Sequence, residues 1–141
     1  MQNYTVEQVA WQDYLEILRA IRTVVFVEEQ NVPQAEEWDG RDDQAIHVLA
    51  MTPDGKPVGT ARLLDSGQIG RMAVLHEFRK HGIGGSMLRR LVEIAAENNI
   101  RGLFLNSQFE AIPFYKKFGF VEQGETFMEA GILHRKMILP V

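Results

Sequence analysis

The chain has 141 residues, enough for one domain with its own core, and its 45% apolar and 24% charged residues are those of an ordinary soluble globular protein. A formal net charge of −4 argues against a dedicated nucleic-acid binder, which carries a basic excess. The absence of cysteine excludes disulfides, thiolate metal sites and a cysteine nucleophile, and no apolar run has the length of a membrane span.

Tyr4 to Val9 alternates weakly and is expected to be a strand. Leu15, Leu18, Ile21, Arg22 and Val25 recur at helical spacing, which predicts a helix over 13–27. Glu28 to Asp43 holds Pro33 and Gly40 and reads as irregular; Glu28, Glu29, Glu36, Glu37, Asp39, Asp42 and Asp43 face only Arg41 there. This excess reads either as a field for a cationic amine or as a solvated loop, with Trp38 packing part of it down. Ile46 to Met51, the turn "PDGK" and Pro57 to Leu64 form a hairpin; after Ser66-Gly67, Gln68 to Val74 extends the antiparallel meander.

The pattern then changes. Ile83, Met87, Leu88, Leu91, Ile94 and Ala95 trace one face of a helix from about Gly82 to Asn98, and Arg89 and Glu93 are spaced to pair on another face. Leu103 to Leu105 is expected as a short buried strand, which gives a β-α-β crossover and two parallel neighbours. A helix over Phe109 to Phe118 stops at Gly119, and Phe120 to Gln123 and Leu133 to Leu139 read as a closing pair of strands. Without repeat, linker or low-complexity tract, the chain reads as a single domain, 1–141, of class α+β: a mixed, mostly antiparallel sheet with helices on both faces. The N-terminus lacks a basic stretch followed by an apolar one, so no signal peptide is expected, and a cytoplasmic location fits.

Inside the crossover lies "FRKHGIGGS", Phe78 to Ser86. Backbone N–H groups at a helix start lack intrahelical partners and carry the positive end of the macrodipole, which favours phosphate. Glycine lets a ligand approach that backbone, and Arg79, Lys80 and His81 add charge. The bland alternative is a turn with solvated basic residues. A P-loop would need a Lys after these glycines, and a dinucleotide fingerprint would need glycine where Met87 stands. What remains is [R/Q]xxGxG, filled by Arg79, Gly82 and Gly84.

That spacing resembles the pyrophosphate loop of the GNAT acyl-CoA N-acyltransferase family. Arg71 to Ala95 is similar to the family's central strand, loop and helix, and "NSQFEAIPFYKKFGF" (Asn106 to Phe120) to its second signature. "RTVVFVEEQNVP" (Arg22 to Pro33), with Asp39, His47 and "AGILH" (Ala130 to His134), resembles the ElaA/YjcF-like bacterial subgroup. The resemblance implies a sheet whose central parallel strands splay apart and admit acetyl-CoA. Its pantetheine arm would pair with the backbone of Met72, Ala73 and Val74. Its pyrophosphate would lie along Arg79, Lys80, His81, Gly82, Ile83, Gly84, Gly85 and Ser86. Asn106, Gln108, Phe114, Tyr115 and Lys117 would flank the rest. Gln108 stands where the signature often has Asn, keeping the amide on a longer arm.

The resemblance also implies direct attack of an amine on the thioester. The amine must be neutral, the oxyanion needs a donor and the CoA thiolate a proton. Tyr115 is the candidate acid by its place in the family's signature, since a phenol near ~10 and a thiol near ~8.5 lie close enough for transfer at modest cost; by residue type alone it reads rather as an aromatic anchor beside Phe114, Phe118 and Phe120. His47, His134 and Glu28, with Glu29 beside it, are the candidate bases; His76 and His81 read as surface or phosphate-side groups. No close ligand spacing supports a metal. The expected acceptor is a small-molecule amine, with neither nucleic acid nor membrane as partner, and the family admits a homodimer. Two rivals share the fold: an acyl-homoserine-lactone synthase, suggested by "RxxVF" at Arg22 to Phe26, and a non-catalytic acyl-CoA sensor.

Overall fold

The computed structural model describes residues 3–140. Its strands are β1 (Thr5–Val9), β2 (Ile46–Met51), β3 (Pro57–Leu63), β4 (Gln68–Val74), β5 (Phe104–Gln108), β6 (Val121–Glu129) and β7 (Ile132–Ile138). They form one sheet in the order β1-β2-β3-β4-β5-β7-β6. All neighbours are antiparallel except β4 and β5, which pair in parallel at only two positions, Gln68 with Phe104 and Ile69 with Leu105. Beyond Ile69 the two strands part. Each half is held by its own ladder: β4 by β3, β5 by β7.

Alternation along the strands sends side chains to two helical layers. Val48 and Ala50 of β2 pack with Ile83, Met87, Leu91 and Ile94 of α3 (Ile83–Glu97). Leu49, between them, faces Leu18 and Ile21 of α1 (Trp11–Arg22) on the other side. The splayed mouth of the sheet therefore lies between two rigid, fully packed faces.

Several elements differ from their sequence limits for identifiable reasons. The first helix is regular only to Arg22; Thr23–Glu29, rich in β-branched residues, continues as a wider π turn. The helix over 109–118 is a 3₁₀ turn, Phe109–Ala111, followed by α4 (Ile112–Lys116), with Pro113 tolerated in the first turn. Strand β5 runs past Leu105 through Asn106, Ser107 and Gln108, because β7 supplies a ladder partner for each. The segment 28–43 contains a short helix, α2 (Gln34–Glu37), and a 3₁₀ turn at Asp42–Gln44. On α3, the ion pairs are Arg90 with Glu93 (3.3 Å) and Glu97 (3.8 Å), not Arg89 with Glu93; Arg89 lies over the Phe118 ring. No helix among the described residues is long and apolar enough to cross a membrane.

Candidate active site

A cleft of about 690 Å³ opens where β4 and β5 separate. Its floor begins with an irregularity in β4. Thr60 pairs with Ala73 and Arg62 with Gly70, so Arg71 and Met72 together oppose Ala61. This bulge puts Arg71 at φ 51, a left-handed conformation costly for a residue with a side chain. The surroundings hold it there. Arg71 Nε lies 3.0 Å from Glu37 Oε1, and its terminal nitrogen donates to the backbone carbonyls of Glu36 and Glu37 and to Asp39. The bulge turns the β4 backbone toward the cleft, where Met72 and Tyr115 meet: the phenol lies 3.9 Å from Met72 Sδ.

At the far end of β4 the chain reverses through Lys80 (φ 67) and Gly82 (φ 81) into α3. The Ser86 N–H already bonds the Gly82 carbonyl at 3.0 Å. This leaves the N–H groups of Ile83, Gly84 and Gly85 without an intrahelical acceptor and removes Ser86 from the set of free backbone donors. The glycines differ in purpose. Gly82 supplies left-handed backbone in open space, whereas a Cβ at Gly85 would stand 2.6 Å from Phe118 Cζ. Phe118 is wedged against Phe114 and Arg89 and has little room to yield. Gly85→Ala is therefore expected to cost about 1–3 kcal/mol by overpacking and to push against the α4 turn that carries Tyr115. Thermal melting checks this; an unchanged midpoint would show that Phe118 moves freely.

Arg79 is committed within the protein. Its Nε donates to the Val74 carbonyl at 2.8 Å, and its terminal nitrogens grip Glu29 at 2.6 and 2.7 Å. That fork holds the Glu29 carboxyl below its ordinary range. Positive charge at the loop thus falls to the exposed Lys80, with His81 exposed beside it. Ile83 is buried in the core and Ala73 against α1, so each offers the cleft only backbone. Phe114 packs edge-on against Tyr115 at 5.0 Å, and Lys117 is exposed. Burial pushes the Tyr115 phenol up to about 12. Asn106 and Gln108 line the cleft from β5, and Gln108 donates to Gln30 at 2.7 Å across it.

The candidate bases separate. His47 lies behind the cleft: it is 1% exposed, stacked on Trp11 at 4.8 Å, with Nε2 donating to the Asp42 carbonyl at 2.9 Å. Burial holds its pKa below the ordinary value, so it is a neutral member of the core. His47 is not among the residues that line the cleft, and the structure does not bring it together with His134. Glu28 is exposed and stands outside the cleft lining. His134 does line the cleft, on β7.

The acidic segment is largely neutralised. Arg22, 1% exposed, lies over the rings of Trp11 and Trp38 and pairs with Glu37 at 2.6 Å and Asp42 at 2.7 Å. Arg62 binds Asp39 through two nitrogens at 2.9 Å and reaches Asp42 at 3.1 Å. Burial raises the pKa of Asp39, but Arg62 and Arg71 outweigh it and hold that carboxyl well below the usual range. Of the seven carboxylates of the segment, Glu37, Asp39 and Asp42 are thus paired by arginines from α1, β3 and β4. Arg62 carries no local motif, and Arg71 and Gln30, though inside the stretches that carry the resemblance, are not singled out by it. Arg22 does leave a signal, as the charged residue on an otherwise apolar helix face.

A sheet split at one parallel pair, with a bulged strand leading into a left-handed loop and helix, is the acyl-CoA N-acyltransferase fold. The chain belongs to the GNAT family: the model described as an acetyltransferase (GNAT) domain matches residues 3–141. Uncharacterized N-acetyltransferase YjcF of Bacillus subtilis (strain 168) is 39% identical over 122 residues, which cover 84% of this chain and 86% of that protein. Among solved structures, an acyl-CoA N-acyltransferase from Pseudomonas aeruginosa superposes with a TM-score of 0.84 at 28% identity, covering 99% of this chain and 100% of that one. Escherichia coli ElaA gives 0.85 at 27% identity, covering 98% and 99%. The family makes this chain an acyltransferase that draws on acyl-CoA.

Proposed function

We propose that the chain, as a single catalytic domain, is a cytoplasmic N-acetyltransferase that moves the acetyl group of acetyl-CoA directly to a small-molecule amine. The observation that carries this reading is the open edge of β4. Past Ile69 its backbone faces the cleft without a strand partner, and unpaired backbone groups of this kind are costly unless a ligand satisfies them. A pantetheine arm, with two amides, suits Met72 to Val74. The Arg79 contact to the Val74 carbonyl must then be shared or given up. The diphosphate fits the three free N–H groups at the head of α3.

Chemistry follows from what borders the thioester. The amine nitrogen attacks the carbonyl carbon, and a β4 backbone N–H beside the bulge is the donor for the developing oxyanion. As the C–S bond breaks, the Tyr115 hydroxyl protonates the sulfur. A phenol at about 12 against a thiol near ~8.5 would be uphill by about 5 kcal/mol in bulk water. The same desolvation that raises the phenol also raises the thiol, and this narrows the gap inside the cleft. The proton that the ammonium must shed before attack goes to His134; the surplus proton of the nitrogen that has attacked restores the phenol of Tyr115.

Calorimetry with acetyl-CoA, followed by an amine-library screen for released free thiol, tests the reading. The expected result is saturable binding in the ~1 μM–1 mM range usual for enzyme substrates, with thiol release dependent on an amine. No heat with acetyl-CoA would overturn it. Binding without amine-dependent release would favour the sensor.

A further inference from the structure

We infer that Glu129 and His134 together seat the acceptor as an ammonium ion, Glu129 as the charge that selects it and His134 as the base that deprotonates it. The inference rests on the acetyltransferase reading above and adds to it the groups that recognise the acceptor. Four carboxylates line the cleft: Glu36, Glu37, Asp39 and Glu129. Arginines neutralise Glu37 and Asp39. Of the remaining two, Glu129 is the one beside a histidine, with Oε2 3.6 Å from His134 Nε2 and its side chain 54% exposed.

The hairpin tip fixes this geometry. Ala130 and Gly131 both take positive φ, the tight turn that sets Glu129 opposite Ile132. The Ile132 carbonyl then accepts from His134 Nδ1 at 2.7 Å. A carbonyl can only accept, so Nδ1 carries the hydrogen and Nε2 is the ring nitrogen turned toward Glu129. Phe127 stacks on the ring at 5.9 Å and keeps it from rotating away. Nε2 and the carboxylate oxygen thus stand side by side in the cleft wall. An ammonium supplies one N–H to each through charge-assisted bonds. Loss of one proton to Nε2 then leaves the neutral nucleophile in place, with Glu129 holding the imidazolium. Phe26, Val32 and Ile132 offer apolar wall nearby, so the class of acceptor is an alkyl primary amine that arrives charged.

The experiment needs no identified acceptor. n-Propylammonium chloride is titrated into the full chain saturated with CoA while the His134 ring nitrogens are followed by ¹⁵N NMR. A ligand this small reaches only about millimolar affinity. The expected result is a saturable shift of Nε2 that tetramethylammonium, which has no N–H, does not reproduce. In Glu129→Gln, which keeps shape at a half-exposed site, the midpoint should rise about 10–100-fold, the worth of one hydrogen bond to a charged group. No saturable shift in the wild type, an equal response to tetramethylammonium or an unchanged midpoint in Glu129→Gln would each overturn the inference. Failure of CoA to bind in calorimetry would instead strike the acetyltransferase reading, and the propylammonium titration of the free chain would still report on the pair.

Discussion

Replacing Tyr115 by Phe is expected to lower kcat by about 10²–10⁴-fold, the usual worth of a positioned general acid, while the affinity for acetyl-CoA barely changes. The substitution removes one oxygen and little else. Tyr115 meets Phe114 and Phe120 through its ring, at 5.0 and 6.1 Å, and Phe preserves both contacts. Its hydroxyl touches only Met72 Sδ at 3.9 Å, a weak acceptor that leaves the O–H free to turn to a better one. Because burial holds the phenol at about 12, the proton is present throughout the physiological range. In the proposed reaction the departing thiolate would be the better partner. Single-turnover rates with the amine found in the screen, beside calorimetry with acetyl-CoA, separate chemistry from binding. Unchanged turnover in Tyr115→Phe would reduce the residue to an aromatic anchor; a matching loss of affinity would make it a cofactor contact.

Legibility in the sequence divides along the same line as the cleft. Strand β2 can be read to its end because the apolar run stops at the turn "PDGK", and β4 to its start because Ser66-Gly67 precedes it. Strand β5 reads short. Asn106, Ser107 and Gln108 look like loop chemistry, and only their cross-strand partners on β7 make them a strand. The half proposed for the cofactor announces itself through spacing, since a β-α-β crossover keeps loop, glycines and helix start within a few residues of one another. The acceptor half does not. Glu129 and His134 share a hairpin, but Gln30, Arg62 and Arg71 arrive from separate elements, and nothing local relates them. The acidic segment shows the cost of reading charge along the chain. Its three buried or half-buried carboxylates, Glu37, Asp39 and Asp42, have their partners on α1, β3 and β4, which the order of the chain does not show.

Those partners make Arg22 the most sensitive position outside the chemistry. Its guanidinium is 1% exposed, over the two tryptophans, and bonded to two carboxylates that are themselves nearly buried. Arg22→Met keeps much of the stem but leaves Glu37 and Asp42 short of a cation. Removing one partner from a buried ion pair costs about 3–5 kcal/mol. In a domain of this size that lowers the melting temperature by on the order of 10 °C. Lys should rescue only part of the loss, because an ammonium cannot reach both carboxylates in the fork geometry that Arg provides. The discriminating variant is Arg22→Met combined with Glu37→Gln and Asp42→Asn, which removes the stranded charge and should recover much of the stability. Activity should not recover with it. Arg71 would lose its bond to a charged Glu37, and with it part of what holds the β4 bulge at its left-handed residue. Thermal melts of the three variants, each paired with amine-dependent thiol release, read the two effects apart. A combined variant as unstable as Arg22→Met alone would mean that packing between Trp11 and Trp38, not charge, sets the requirement for arginine.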